Sequence, residues 1–436
     1  MNNKKQVALK RVLGPVHIWA IAVGLVISGE YFGWNYGWNV AGTVGMLWAT
    51  AIVTVLYITF VFSFTELTTS IPEAGGPFAY AQKAFGPIGG LIAGYGTLIE
   101  FLLATPAIAY ALGSYLQFLY PSINVLYAAI AFYILFTGIN LIGIKESAVF
   151  TLIITLLAIA ELLAYIGFVA PHFKMHFFFE NSMPYGWKGI FAALPFAIWF
   201  YLAIEGVAMV AEETKQPEKN IPRGYIAGIF TLSVLALTVM IVTGGITDWK
   251  QLANIDYPLP QATSIVLGQQ SSIAKLFAGI GLFGLIASFH SIITGYSRQI
   301  FALSRDKFLP RFLSQIHPRF KTPHIALYVG AVIGIISLYT GTTDKLIILS
   351  ALGALSMYII SMLSLFKLRM KGFSSAQTFK VPFYPIFPAI ALILSVICLA
   401  AIVYYNPGLG LLFLSAFLLV LIGFLLAGKH KTGNVQ

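Results

Sequence analysis

The sequence predicts an all-α membrane protein with twelve transmembrane helices, and three observations support that fold class. Hydrophobic residues occupy 58% of the 436 positions and charged residues only 9%, which excludes an ordinary soluble domain. Twelve apolar runs can be placed that are long enough to cross about 30 Å of hydrocarbon. Basic residues accumulate on alternate connections between these runs, as they do in chains that cross a membrane repeatedly.

The twelve predicted spans alternate in direction and place both chain ends on one side of the membrane. They cover residues 16–40, 46–70, 88–117, 125–143, 148–170, 188–211, 225–246, 273–303, 325–340, 346–366, 386–405 and 409–427. No long linker or soluble appendage separates them, so residues 1–436 are predicted to form a single membrane domain.

The positions of the basic residues predict the orientation of the chain. Of the 26 Lys and Arg, only five follow odd-numbered spans, namely Lys174, Lys188, Lys250, Lys275 and Lys345. Because cytoplasmic loops carry the excess of basic residues, both termini are predicted to be cytoplasmic and the protein to lie in the cell membrane. This asymmetry also explains the net charge of +11, so no nucleic-acid partner is expected.

An acidic residue, Glu30, lies in the middle of the first span. An ionised side chain near the bilayer midplane costs about 2.5–3.5 kcal/mol even on lenient insertion scales, so such a residue usually faces a cavity, a partner or a substrate. Gly29 and Gly33 flank the acid and weaken the helix there. Irregular backbone at this depth is tolerated only where it lines a cavity or is buried in protein. We therefore predict a helix break and a functional site at this point.

The sixth span is interrupted in a similar way, by Pro195 and again around residues 200–206, where Glu205 precedes Gly206. The first and sixth spans run in opposite directions through the membrane. Matched interruptions in opposite orientation indicate an inverted-repeat transporter whose site lies at the midplane between discontinuous helices. The repeats are predicted at about 15–170 and 187–368, with additional helices at about 385–428.

Two further acids, Glu100 in the third span and Glu161 in the fifth, lie deep in the predicted membrane region without a Lys or Arg at similar depth. Buried carboxylates without basic partners must be protonated, hydrogen-bonded or matched by a cation supplied from outside. A cationic substrate, protons or both are implied. For Glu30 and Glu205, the alternative is that they only form hydrogen bonds with neighbouring helices and bind nothing.

Three stretches resemble the amino acid–polyamine–organocation transporter family. They are Glu66-Leu67 with IPEAGGPFAY at 71–80 and then Gly86 and Gly94; AEETKQPEKNIPRG at 211–224; and SRQIFALSRDKFLP at 297–310, continuing to His317-Pro318-Arg319 and Thr322-Pro323. The resemblance implies the leucine-transporter-type fold, a five-plus-five inverted repeat with broken helices 1 and 6 and two added helices.

Four runs are similar, more narrowly, to the ethanolamine permease branch of that family. They are SGEYFGWNYGW at 28–38, FAIWFYLAIEGVAM at 196–209, IASFHSIITGYSRQI at 286–300 and ILSALGALSMYIISML at 348–363. This similarity implies a secondary active transporter that imports ethanolamine or a closely related small amine by alternating access.

The chemistry of Glu30 points in the same direction. In amino-acid members of the family, backbone amides at the first break are understood to hold the carboxylate of the substrate. A glutamate at that break would repel such a group and attract an ammonium, by about 4 kcal/mol at 4 Å and an effective dielectric near 20. The candidate substrate-binding residues are Ser28, Gly29, Glu30, Tyr31, Tyr201, Glu205, His290 and Ser291, and Gly29, Gly33 and Gly206 are predicted to permit the breaks.

The coupling ion, H⁺ or Na⁺, stays open at the sequence level. Proton-coupled members of the family often carry a lysine in the fifth span, and alignment on Gly143-Ile144-Lys145 puts Ala158 at that position. Glu161, one turn further along, and Glu100, which matches a glutamate of the family's third segment, become the candidate proton carriers. The alternative for each is a protonated hydrogen-bond donor without a role in transport.

Other functions are also consistent with part of the sequence. An amino-acid permease, proton-coupled, or a polyamine or choline transporter has the same fold, and buried acids can also ring a cation channel. A membrane-embedded enzyme is not expected, because no HExxH pair, Cys/His cluster, glycine-rich phosphate loop or plausible Ser/His/Asp arrangement occurs. We expect a small amine and the lipid bilayer as partners and no metal or cofactor beyond a coupling ion; the oligomeric state is open.

Overall fold

The computed structural model describes residues 11–73, 75–142, 148–268, 271–373 and 378–426. Fifteen α-helices lie in these ranges: α1 Pro15–Val26, α2 Ser28–Tyr31, α3 Tyr36–Ser70, α4 Pro77–Leu119, α5 Val125–Ile142, α6 Ala148–Val169, α7 Met175–Phe179, α8 Gly186–Trp199, α9 Pro217–Gly244, α10 Pro258–Leu267, α11 Ser272–Arg305, α12 His324–Thr340, α13 Thr343–Met370, α14 Ile386–Tyr405 and α15 Pro407–Leu426. Within the same ranges the only β-pairing is an isolated bridge between Leu13 and Thr214.

The predicted fold class is confirmed, since the described chain is helical and ten of its segments are long and apolar enough to cross a membrane. Two shorter apolar helices, α1 and α12, bring the crossings to twelve. We call the face that carries residues 11–14 and the 306–323 connection the inner face, following the predicted topology, and the opposite face the outer face. The limits of the two repeats stay a prediction, and span ends predicted at 143 and 427 lie outside the described residues.

The first crossing is broken two residues after Glu30. Helix α2 ends at Tyr31, Phe32 is extended, and Gly33 has a φ of +93°, a conformation that side-chain-bearing residues rarely adopt. The chain becomes helical again at Tyr36, and a second positive φ, +69° at Gly42, separates the end of the first crossing from the second crossing within α3. The break therefore comes later than Gly29, which lies inside α2.

The glycine at position 29 is required by a close contact between the first and sixth crossings and not by unwinding of the helix. A Cβ atom at this position would lie 2.4 Å from the carbonyl oxygen of Trp199 at the end of α8. Only a glycine allows the two broken crossings to touch here. The predicted role of Gly29 as a helix break is thus corrected to that of a contact point.

The sixth crossing is broken at residues 200–203, before Gly206. Helix α8 ends at Trp199, Ala203 adopts a left-handed conformation with a φ of +75°, and a 3₁₀ helix runs from Ile204 to Glu213. Pro195 lies within α8 and does not end it. The prediction that Gly206 permits the break is wrong, since Gly206 lies inside the 3₁₀ helix, where a Cβ would come within 2.9 Å of Leu25.

The third and tenth crossings pack closely and bring polar groups to the break in the sixth. Gly96 of α4 and Gly353 of α13 approach so tightly that a Cβ on Gly96 would lie 2.7 Å from the carbonyl oxygen of Gly353. Helix α4 begins at Pro77, before the predicted start of the span, and Gly86, with a φ of +73°, separates the two parts. This packing positions Glu100 and Tyr358, which lie deeper on the same two helices.

Candidate functional site

The carboxylate of Glu30 is buried and has no hydrogen-bond partner among the described residues. Its side chain is 0% exposed, and both carboxylate oxygens are enclosed. Burying a charged or polar group without a partner is costly, and buried polar groups in folded proteins are nearly always paired. Glu30 therefore provides a hydrogen-bond acceptor, negatively charged when ionised, that a ligand can satisfy.

Backbone amides around the same break already have acceptors within the protein. The amide of Ser28 donates to the hydroxyl of Ser288 at 3.0 Å, and the amide of Glu30 donates to the carbonyl of Ile27 at 3.0 Å. Gly33 donates to the side-chain oxygen of Asn35 at 3.0 Å. These three amides are occupied by acceptors within the protein, whereas both carboxylate oxygens of Glu30 lack a hydrogen-bond partner among the described residues.

A second pair of acids surrounds the break in the sixth crossing. One carboxylate oxygen of Glu100 accepts from the backbone amide of Ala203 at 2.9 Å, at the start of the 3₁₀ helix. Glu205, in the first turn of that helix, accepts from the hydroxyl of Tyr358 at 3.3 Å, and Tyr57 bonds to the same hydroxyl at 2.9 Å. The two carboxyl groups lie within interaction range of each other, although each keeps one oxygen without a well-formed hydrogen bond in the described chain. Two such groups are best accommodated when at least one proton is bound between them.

Glu161 lies near the first break, next to Tyr31. The hydroxyl of Tyr31 donates to the carbonyl of Ala158 at 3.1 Å and also lies within interaction range of the Glu161 carboxyl group. Tyr115 donates to the carbonyl of Tyr31 at 3.2 Å. Tyr31 is therefore held in place by two elements, and it is near enough to both Glu30 and Glu161 for an electrostatic interaction.

The remaining predicted site residues lie around these acids in two different places. The hydroxyl of Tyr201 bonds to that of Thr54 at 2.6 Å and is close enough to Glu30 for an electrostatic interaction. His290 and Ser291 instead line a cavity on the inner side, and a ring nitrogen of His290 lies 2.9 Å from the side chain of Asn140. The structure thus brings Tyr201 to the first break and places His290 and Ser291 along the inner pathway.

The inner cavity has a volume of about 840 Å³ and runs from the connection at 319–323 to Leu25, Phe101 and Gly206. A Cβ on Gly206 would lie 2.9 Å from Leu25 and 3.3 Å from Phe101, so these two side chains pack against the 3₁₀ helix. Both side chains also line the cavity, next to the residue that follows Glu205.

The outer face is closed by residues that directly follow the first break. The side chain of Asn35 donates to the carbonyls of Leu252 at 2.6 Å and Ile255 at 2.8 Å in the loop after α9. Tyr36 donates to one carboxylate oxygen of Asp256 at 2.8 Å. Thr343, at the start of α13, donates to the other oxygen of Asp256 at 3.1 Å. Burial raises the pKa of Asp256, which lies in this loop, to about 6.

Several residues of the site were not expected from the sequence. Nothing in the sequence distinguishes Ser288 from the other serines of the eighth span. Its hydroxyl joins the eighth crossing to the first by accepting from the amide of Ser28 and donating to the carbonyl of Gly24. Tyr358 and Trp199 also carried no individual signal. Both lie in runs whose residues resemble those of known permeases, which indicates the segment but not the contact that each residue makes.

Comparison with known proteins places the whole membrane region in one family. Residues 13–426 match the family described as amino acid permease. An uncharacterized transporter of Rhizobium meliloti (strain 1021) is 30% identical over 412 residues, which cover 92% of this chain and 88% of the relative. The branched-chain amino acid permease BcaP of Bacillus subtilis (strain 168) is 27% identical, with 98% of this chain and 95% of the relative covered. The methylthioribose transporter of the same organism is 28% identical, with 99% and 96% covered.

Proposed function

The chain belongs to the amino acid permease family and is a multi-pass membrane transporter, and from that premise we propose that it imports ethanolamine or a closely related small amine. The observation that carries this substrate class is the buried, unpartnered carboxylate of Glu30 beside the first helix break. The resemblance to the wider family is confirmed, and the narrower resemblance to the ethanolamine permease branch stays a prediction.

The inventory of donors and acceptors at the first break favours an amine over an amino acid. An amino acid brings an ammonium and a carboxylate, and the carboxylate needs free donors. The amides of Ser28, Glu30 and Gly33 already donate within the protein, and the nearby acid would repel a second carboxylate. An amine without an acid group brings a positively charged hydrogen-bond donor for Glu30 and no carboxylate that would need a donor of its own.

Proton coupling is the second part of the proposal. Glu100 and Glu205 lie together at the break in the sixth crossing, and Glu161 lies beside Tyr31 at the first. A proton taken up by one of these groups changes the charge near the bound amine, so the occupancy of the two ligands becomes linked. We propose that Glu100 with Glu205, or Glu161, carries that proton from the outer to the cytoplasmic side of the cell membrane.

Uptake by proteoliposomes that contain the purified protein tests the proposal. Labelled ethanolamine should accumulate against its gradient and saturate when a pH gradient, acidic outside, is imposed without sodium. Accumulation that requires sodium and ignores the pH gradient would overturn proton coupling while leaving the substrate intact. Uptake that neither saturates nor concentrates would indicate a channel.

Competition experiments separate the amine from the amino-acid alternative that the relatives' names raise. Unlabelled ethanolamine should suppress uptake of labelled ethanolamine far more strongly than leucine, alanine, arginine, putrescine or choline. If leucine or alanine competes as well as ethanolamine does, and is itself transported, the protein is an amino-acid permease. Preferential competition by putrescine or choline would assign the site to a polyamine or a methylated amine.

A further inference from the structure

A second buried polar group without a partner lies at the same break, and it is a donor. The indole nitrogen of Trp199 has no hydrogen-bond partner in the part of the chain that the structure describes, and its side chain is 3% exposed. A buried N–H group without an acceptor is unusual, because indole groups normally find a partner when they are buried. The first break thus holds an acidic acceptor, Glu30, and a neutral donor, Trp199, and neither has a hydrogen-bond partner among the described residues.

Trp199 is positioned by both helix breaks. It is the last residue of α8, so the break in the sixth crossing begins immediately after it. Its carbonyl oxygen abuts Gly29, and its indole edge abuts Gly33, where a Cβ would lie 2.4 Å from the indole nitrogen. The ring also meets Phe32 edge to face, with centroids 5.4 Å apart. Trp199 therefore contacts the chain on both sides of Glu30, at Gly29 and at Gly33.

We propose that the indole N–H of Trp199 donates a hydrogen bond to the oxygen of a hydroxyl-bearing amine and thereby distinguishes it from an amine without that hydroxyl. This inference rests on the proposed function, because it assumes that the ammonium of the ligand binds Glu30. Trp199 then sets specificity, since sites that must hydrogen-bond a substrate oxygen reject analogues in which that oxygen is missing. The two unsatisfied groups define a ligand with a cationic nitrogen and an oxygen acceptor on one short chain.

The test compares the affinities of ethanolamine and ethylamine by isothermal titration calorimetry on the purified full-length protein. Wild-type protein should prefer ethanolamine by about tenfold or more, the usual effect of one hydrogen bond to a buried donor. Trp199→Phe keeps an aromatic ring and removes the N–H, so it should weaken ethanolamine by about tenfold and leave ethylamine unchanged. The unchanged ethylamine affinity also shows that the variant is folded.

The chain provides a matched control in Trp38, whose buried indole nitrogen likewise lacks a partner among the described residues. Its ring packs edge to face against Trp34, and a Trp38→Phe variant should keep the wild-type preference. Equal weakening of both amines by Trp199→Phe, or an unaltered preference, overturns the assignment. If wild-type protein binds both amines equally, Trp199 is not a specificity residue although the proposed function stands; if it binds neither amine, the proposed function itself fails.

Discussion

Replacing Glu30 by glutamine removes the negative charge that the proposed amine needs and changes little else. The carboxylate is fully buried and receives no hydrogen bond in the described structure, so Glu30→Gln leaves no other group without its partner. A buried carboxylate without a partner does not stabilise the empty protein, and its neutral isostere should therefore have an equal or higher melting temperature. The effect of the substitution is thus expected in ligand binding and not in folding.

The expected loss of affinity follows from the distance of a hydrogen-bonded charge pair. An ammonium about 4 Å from a carboxylate, at an effective dielectric near 20, is stabilised by about 4 kcal/mol. Since each 1.4 kcal/mol corresponds to about tenfold, the dissociation constant for ethanolamine should rise on the order of a thousandfold. Glu30→Asp, which keeps the charge on a shorter side chain, should lose much less.

Calorimetry in detergent measures the dissociation constant, and proteoliposome uptake shows whether transport falls in parallel. Glu180→Gln makes the same chemical change at an exposed acid in the loop after α7 and should bind and transport like wild type. A Glu30→Gln protein that melts normally and binds ethanolamine within threefold of wild type would refute the role of this carboxylate. The family assignment would survive that result.

Three further substitutions test the backbone, the outer closure and the inner face. Ala203→Gly should raise the melting temperature, because a left-handed conformation costs a residue with a side chain about 1 kcal/mol that glycine avoids; a lower melting temperature contradicts this. Burial raises the pKa of Asp256 to about 6 in the folded protein, above the value near 3.9 in the unfolded chain. The folded state therefore binds the proton more tightly than the unfolded state does. This contribution to stability is fully present below about pH 4 and is lost as the pH rises to about 6. The melting temperature of wild type relative to Asp256→Asn should therefore fall across that window, and a flat difference would contradict it. Arg369 donates two hydrogen bonds to the buried carboxylate of Glu66, at 2.6 and 2.5 Å. Arg369→Met leaves that carboxylate buried without its charged partner and should lower the free energy of unfolding by about 3 kcal/mol. The double variant with Glu66→Gln should recover part of that loss, because the buried charge is then removed.

The sequence predicted the crossings and the two interrupted segments because these depend on local composition. A sufficiently long run of apolar residues predicts a membrane span from its own composition. An acid or a pair of glycines within such a run can likewise be recognised without knowing which residues it contacts. The break in the first crossing was expected near Gly29 and Gly33, and the structure places it at residues 32–35 with Gly33 in a glycine conformation. Local rules were sufficient here because a glycine occupies the strained position.

The break in the sixth crossing shows where local rules fail. The residue with the left-handed conformation is Ala203, and alanine does not by itself predict such a conformation. In the sequence, the glycine at position 206 suggests a break, but Gly206 lies inside the 3₁₀ helix. What stabilises Ala203 is a hydrogen bond from its amide to Glu100, 103 residues away in the chain. A contact of that kind depends on the tertiary arrangement of α4 against the broken segment, which no spacing within one segment encodes.

The contact between Ser28 and Ser288 is a second example, since these residues are 260 positions apart. The sequence placed Ser291 at the site because a serine in the eighth span is chemically suitable. The pairing instead selects Ser288, one helical turn earlier, and leaves Ser291 along the inner cavity. Residue type identifies which groups can bond, whereas helix rotation and packing decide which of them meet.

The side chain of Asn35 links the first helix break to the outer loop. Its oxygen accepts from the amide of Gly33 inside the break, and its nitrogen donates to the carbonyls of Leu252 and Ile255 in the outer loop. Any opening that moves this loop away must therefore release or shift Asn35, and with it the backbone next to Glu30. A ligand can bias such an equilibrium only through a difference in its affinity for the two states. An ammonium bound to Glu30 would bias the opening if the release of Asn35 from the outer loop alters the backbone next to the acid.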